Sequence, residues 1–220
     1  MKKSWRIAIF CLLFVLVTIA ILWKYDVFVF DRAEIVNSEQ VVWNGKEYSP
    51  VSGEYTEGKT IAKRKDGNWE INSVEEDPSR IFIVARSFLD QYLMVADDYI
   101  IPTAGKLTVA AWNGDYITDV AFLEAVSKIE AERTTSFTYE TEGIYQLTDD
   151  QKMRELYFAY EGCPVATNFK GYMGKVNGKW VITTDISQDT RNPDGSPKAY
   201  EVGCYVIPGE YAEIIDDYLD

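Results

Sequence analysis

The sequence has no histidine. Ser-His-Asp and Cys-His catalysis are therefore excluded, as are zinc sites with imidazole ligands and any histidine pH switch. Other signals are missing as well. The chain carries no G-x-G-x-x-G; Gly53 to Thr60 does spell G-x-x-x-x-G-K-T, but Lys59–Lys65 reads as a strand rather than the helix that a phosphate loop opens, so no nucleotide loop is indicated. It has no G-x-S-x-G elbow, and no serine stands in S-x-x-K spacing with a lysine. From these absences we expect no catalytic residue of a known motif, no cofactor and no metal site. Basic residues are outnumbered, 22 Lys+Arg against 35 Asp+Glu, for a net charge of −13. Such a surface repels phosphate backbones, so no nucleic-acid partner is expected.

What is present begins with Ile7–Trp23, IAIFCLLFVLVTIAILW, a run without a charge. As a helix it would extend roughly 25 Å, slightly short of a hydrocarbon core of about 30 Å. Trp5 and Trp23 frame it as interfacial aromatics, and Arg6 and Lys24 can snorkel outward. A soluble helix would show a polar face, and this run has none. A cleavable signal peptide wants small residues after the apolar stretch, but Thr18 and Ala20 lie inside it. A lipoprotein signal wants a small residue before its cysteine, and Phe10 precedes Cys11. We therefore read residues 7–23 as a single-pass signal-anchor. Lys2, Lys3 and Arg6 put residues 1–6 in the cytoplasm by the positive-inside rule, leaving the rest of the chain extracytoplasmic. No asparagine begins an N-x-[ST] sequon, which favours a bacterial source.

Residues 24–37 read as a juxtamembrane connector, and 38–220 as an extracytoplasmic domain. In that compartment a disulfide between Cys163 and Cys204 is permitted. The domain is punctuated by Asn44-Gly45, Asp66-Gly67, Asn113-Gly114 and Asn177-Gly178, pairs that supply the positive φ angles of tight hairpins. Short segments rich in aromatic and β-branched residues lie between them. Thr118 to Glu132 has helical spacing, with Thr118 as cap and Ile117 and Phe122 as a staple. A second helix follows Pro208, with Tyr211, Ile214, Ile215 and Tyr218 on one face. Residues 154–160 fit both helical and strand spacing, and their aromatic density favours strand. Two hairpins resemble each other, Ile61-Ala62-Lys63 with Trp69-Glu70-Ile71 and Met173-Gly174-Lys175 with Trp180-Val181-Ile182. Two β-rich halves, 38–104 and 105–220, are one division this suggests. The expected fold is α+β: a mainly antiparallel sheet, one internal helix and a C-terminal helix, preceded by the membrane helix.

Carboxylate doublets occur at Asp97-Asp98, Asp149-Asp150 and Asp216-Asp217, with Glu75-Glu76-Asp77 beside them in kind. Neighbours on a strand point to opposite faces, so a doublet seldom places two carboxylates on one substrate. The stretch 189–195 is oxygen-rich, but Arg191 stands where a calcium ligand would be needed. Fifteen tyrosines and six tryptophans exceed what one core requires, and tyrosine favours binding surfaces. Tyr157 cannot share a core with both Phe158 and Tyr160 if residues 154–160 are a strand. The leading expectation is a membrane-anchored, non-catalytic module binding a protein, peptide or envelope ligand. The alternatives are a hydrolase of envelope polymers using two carboxylates and a structural subunit of a membrane complex.

Overall fold

In a computed structural model the chain is mainly β, with helices over residues 12–19 (α1), Val120–Ser136 (α2) and Gly209–Leu219 (α3). The structure describes residues 12–19, 31–37, 40–64, 68–136, 144–147, 153–184, 186, 193–194 and 200–219. Among them no helix is long and apolar enough to cross a membrane. Both expected anchor boundaries, Ile7 and Trp23, lie outside the described residues, as do Asp66-Gly67, Asp149-Asp150 and most of 189–195. Within α1 every large apolar side chain from Leu12 to Ile19 is exposed.

Two compact units make up the chain: Met1–Val51 with Glu57–Tyr99, and Ser52–Thr56 with Ile100–Asp220. The first corrects the expectation of one mainly antiparallel sheet, because it is a closed barrel. Its strands are β1 (Arg32–Asn37), β2 (Gln40–Trp43), β3 (Lys46–Pro50), β4 (Glu57–Arg64), β5 (Glu70–Val74), β6 (Phe82–Arg86) and β7 (Gln91–Ala96). They run in the order β1-β2-β3-β7-β6-β5-β4. Closure is made by β1 lying parallel to β4, with Arg32 opposite Lys63 and Ala33 opposite Arg64. Part of the segment read as a connector is thus a barrel strand. Pairing satisfies the backbone groups that an open edge would leave bare. Side chains fill the interior, among them Trp43, Tyr48, Ile71, Ile83 and Met94. Asn44 (φ 52) and Gly45 (φ 75) join β2 to β3 with two positive φ angles, as a type I′ hairpin demands.

Asp77 is buried in the turn before β6. One carboxylate oxygen accepts the Phe82 amide at 2.6 Å, and the other accepts the amide and hydroxyl of Ser79. A buried carboxylate is tolerable when backbone donors satisfy it this fully. Its role is to shape the turn.

The second unit carries β8 (Leu107–Trp112), β9 (Asp115–Ile117), β10 (Ile144–Leu147), β11 (Arg154–Tyr160), β12 (Asn168–Val176), β13 (Lys179–Thr183), β14 (Tyr200–Gly203) and β15 (Tyr205–Val206). Six form one sheet in the order β15-β13-β12-β11-β8-β9, and β10 pairs with β14 separately. Residues 154–160 are strand. Leu156 and Phe158 of β11 pack in one core with Phe122 and Ile129 of α2, Trp180 of β13 and Ile215 of α3. The α2 cap differs from the expected one. Asp119, not Thr118, accepts the amides of Ala121 at 2.8 Å and Phe122 at 3.1 Å. A carboxylate suits this place because it also meets the positive end of the helix dipole.

Helix α3 is fastened by aromatic–acid pairs. Glu132 of α2 accepts the hydroxyls of Tyr205 at 3.0 Å and Tyr211 at 3.1 Å. Asp216 accepts the Trp180 indole N–H and pairs with Lys175 at 2.8 Å. In each of the doublets at 97–98 and 216–217 one member is in an ion pair, since Asp98 pairs with Lys46 at 3.3 Å on the surface.

Candidate binding face

The six-stranded sheet has a second face, opposite the one covered by α2 and α3. Alternation along β11 sends Leu156 and Phe158 to the helices, so Glu155 and Tyr157 point the other way. Glu155 lies opposite Tyr172 on β12, and Tyr157 lies opposite Phe169.

Phe169 and Tyr172 are three residues apart, and in a regular strand they would face opposite sides. Here their rings are 5.2 Å apart and nearly perpendicular. A β-bulge explains this. The register slips between Leu156 and Tyr157, so that Leu156 pairs with Gly171 and Tyr157 with Phe169, leaving Lys170 as the extra residue. Gly171 has φ +131, and a Cβ there would meet the Thr183 carbonyl oxygen at 2.4 Å. Only glycine fits the position. Lys170 turns to the helix side, its ammonium 5.5 Å from the centroids of both Phe158 and Tyr160. The bulge thus separates a structural lysine from a cluster of rings.

Segment 52–56 borders this face. Glu54 forms a bridge with Ala166, and its carbonyl accepts the hydroxyl of Tyr116. The Tyr157 hydroxyl donates to Glu155 Oε2 at 2.9 Å. Burial, and then the neighbouring charge of Glu155, push the Glu54 carboxyl above the ordinary range. Burial pushes the Tyr157 hydroxyl well above its ordinary value, with Glu155 and Glu54 adding to the effect. Titratable groups displaced together in this way often mark functional sites. Tyr157 is itself buried, whereas Phe169 is 42% exposed, Glu155 is exposed, and Tyr172 and Glu54 are half-buried.

Part of this face is covered, because Tyr172 packs against the cluster that holds Cys204. Cys163 and Cys204 are both buried and free in this structure. Cys204 lies among Met153, Val176, Val181 and Val202, where burial raises its thiol to about 11. Cys163 directs its sulfur to the Val165 carbonyl at 3.1 Å. Among the described residues no group of three or more Cys, Asp or Glu converges as a metal site.

Sequence reasoning found the aromatic surplus and singled out Tyr157. It missed Glu54 and Glu155, since neither belongs to a doublet, and it missed the bulge. Gly171 in an aromatic strand was the available signal, because an isolated strand glycine often marks a bulge.

Comparison with known proteins finds no match: no family model, no curated protein and no solved structure is significantly similar to this chain.

A second surface feature belongs to the barrel. The β6–β7 hairpin tip carries Phe88, 97% exposed, and Leu89, 84% exposed. The turn is nonetheless well bonded, with Ser87 N donating to Asp90 O at 2.8 Å and Asp90 N to Ser87 Oγ at 3.0 Å. An open cavity of about 550 Å³ beside it is lined by Asn68, Glu70, Arg86, Ser87 and Phe88.

Proposed function

We propose that this chain is a non-catalytic binding module held to a membrane by residues 7–23, displaying its ligand-binding face on the extracytoplasmic side. The observation that carries the reading is the ring cluster around Tyr157. A bulge that only glycine can form holds Phe169 and Tyr172 on the face away from the helices, with Phe169 open to solvent. An exposed aromatic on a rigid strand is a binding anchor of low entropic cost. The anchor half of the reading is supported by the uncharged run and by the exposed apolar side chains of α1.

A second reading, hydrolysis of an envelope polymer by two carboxylates, draws on one observation. Glu54 is raised by burial and by Glu155, as a general acid beside a second carboxylate would be. The barrel cavity and a groove of about 330 Å³ along α2 are lined by other residues. A binding face needs no such enclosure, which favours the first reading.

The test is affinity capture from detergent-solubilised membranes with the full chain as bait, in parallel with Phe169→Ala. Capture of a ligand by the parent and not by the variant supports the module. Turnover of purified cell-wall polymer that Glu54→Gln abolishes would replace it with the hydrolase. Membrane attachment is tested separately, by resistance to carbonate extraction and by protease access to the domain from outside.

A further inference from the structure

The β6–β7 hairpin turns through Ser87-Phe88-Leu89-Asp90, and a tight turn asks for polar or small residues rather than for Phe and Leu. Ser87 and Asp90 secure its geometry. Ser87 Oγ accepts the amides of Leu89 at 3.3 Å and Asp90 at 3.0 Å, and the Asp90 carbonyl accepts the Ser87 amide at 2.8 Å. Phe88 is 97% exposed, so its ring adds almost no apolar burial to the fold. Behind the turn, Trp69 and Tyr92 stack at 6.2 Å and pack on the barrel core, which fixes the ends of the strands flanking β6. An aromatic ring held out in water on an ordered turn is suited to recognition, since little freedom is lost when a ligand covers it.

The cavity beside the turn narrows the ligand. Its volume of about 550 Å³ falls within the range of small-ligand sites, about 300–1,000 Å³. The lining is a carboxamide (Asn68), a carboxylate (Glu70), a guanidinium (Arg86) and a hydroxyl (Ser87), with the Phe88 ring at its side. Both charges are compensated: Arg86 Nη1 lies 2.9 Å from Glu57 Oε2, and Glu70 Oε1 lies 2.9 Å from Lys63 Nζ. A guanidinium has five N–H donors and each carboxylate oxygen has two acceptor positions, so these pairs leave capacity for a ligand. The cavity therefore offers hydrogen bonds without a surplus charge. A charged ligand would find no opposite charge left over, and an apolar one would strip water from polar groups and return no bonds. An uncharged ligand rich in hydroxyls meets both conditions. Its hydroxyls donate and accept, and the C–H face of a sugar ring can cover the aromatic one.

We propose that the Phe88 turn and its cavity bind a neutral saccharide, with one sugar ring stacked on Phe88 and its hydroxyls bonded by Asn68, Glu70 and Arg86. The site lies wholly within the barrel unit, so the inference goes beyond the reading above and stands apart from the face around Tyr157. Strand direction agrees with it. β1 begins at Arg32, where the chain arrives from residues 7–23. β4 runs parallel to β1, β5 antiparallel to β4, and β6 antiparallel to β5, so β6 runs in the direction of β1. The β6–β7 turn is thus at the barrel end opposite the one where β1 begins. On the anchored reading that end is turned from the bilayer, where envelope glycan is met.

An array of neutral and acidic oligosaccharides, probed with the full chain in a detergent without a sugar headgroup, decides the matter. Phe88→Ala, Phe88→Trp, Leu89→Ala and Phe169→Ala are run alongside. All these substitutions fall on exposed side chains, and circular dichroism verifies that each variant is folded. The expected result is retention of neutral saccharides, weakened about five- to tenfold in Phe88→Ala, the loss of one principal contact. Phe88→Trp should keep that binding, and Leu89→Ala and Phe169→Ala should leave it unchanged. Equal losses in Phe88→Ala and Leu89→Ala would reveal a general apolar contact and overturn the stacked sugar. Binding indifferent to Phe88→Ala and lost in Phe169→Ala would overturn this site and leave the face around Tyr157 standing. Retention of acidic saccharides alone, or of none, would overturn the proposal, while Phe169-dependent capture from membranes would still uphold the module.

Discussion

Tyr157 donates its hydroxyl to the carboxylate of Glu155 at 2.9 Å, across one pleat of β11 on the face away from the helices. The bond couples a buried ring to an exposed acid, so the stability of the sheet and the charge of the face depend on each other. Tyr157→Phe keeps the ring and removes the bond. Its expected cost is about 0.5–1.5 kcal/mol, the net worth of one such hydrogen bond, measured by chemical denaturation. A loss of several kcal/mol would mean that the hydroxyl holds more than this one partner.

Alkaline titration should find Tyr157 late. Its folded pKa lies above its unfolded one, so the stability linked to its proton is complete below about pH 10 and declines as pH rises further. Tyr48, Tyr211 and Tyr218 are raised as well, so tyrosinate absorbance should show several tyrosines ionising after the ordinary class, and Tyr157→Phe should remove one of them. An undiminished late amplitude in Tyr157→Phe would take Tyr157 out of that group.

Glu54 gives a handle of the same sign in the acid range. A carboxyl raised in the folded state favours folding most below its unfolded pKa, and that contribution is lost as pH rises through the folded value. Glu54→Gln should therefore raise the denaturation midpoint at pH 7 and have little effect near pH 3. The increment is modest because the group is half-exposed and screened by solvent. A lower midpoint at pH 7 would contradict the repulsion between Glu54 and Glu155.

Gly171→Ala tests the bulge. The added methyl would collide with the Thr183 carbonyl at a φ that L-residues rarely adopt, so a cost of about 1–3 kcal/mol or more is expected. The sharper readout is ring packing. Near-ultraviolet circular dichroism should change as Phe169 leaves Tyr157 and Tyr172, and an unchanged spectrum would show that the bulge does not set their positions.

At α2, Asp119→Ala should lower the midpoint of the second unit and Asp119→Asn should largely restore it, since both Asp and Asn cap helices well. The Asp119 carboxyl is held below its ordinary value by the Tyr218 hydroxyl and the Phe122 amide. Its stabilisation is accordingly present above about pH 4 and lost as pH falls below that. Deeper in the same core, Phe122→Ala should cost about 3–5 kcal/mol as a buried aromatic truncation. Equal midpoints for Asp119→Ala and the parent at pH 7 would remove the cap from the account.

Much of the local structure could be read from the residues alone. Asn44-Gly45, Asn113-Gly114 and Asn177-Gly178 all turn hairpins with positive φ at both residues. That preference belongs to the dipeptide and needs no distant partner. The periodicity of α2 and α3 was equally legible, because one buried stripe every 3.6 residues is written along the chain. Barrel closure was not, since the β1–β4 pairing joins segments some thirty residues apart on the order of a whole supersecondary unit, and nothing local encodes it. The face around Tyr157 was only half legible. Aromatic abundance announced that rings would be exposed, but which rings share a face was decided when Gly171 met the Thr183 carbonyl in the folded sheet. Side-chain alternation is a local property, and the bulge that breaks it exists only against a paired strand.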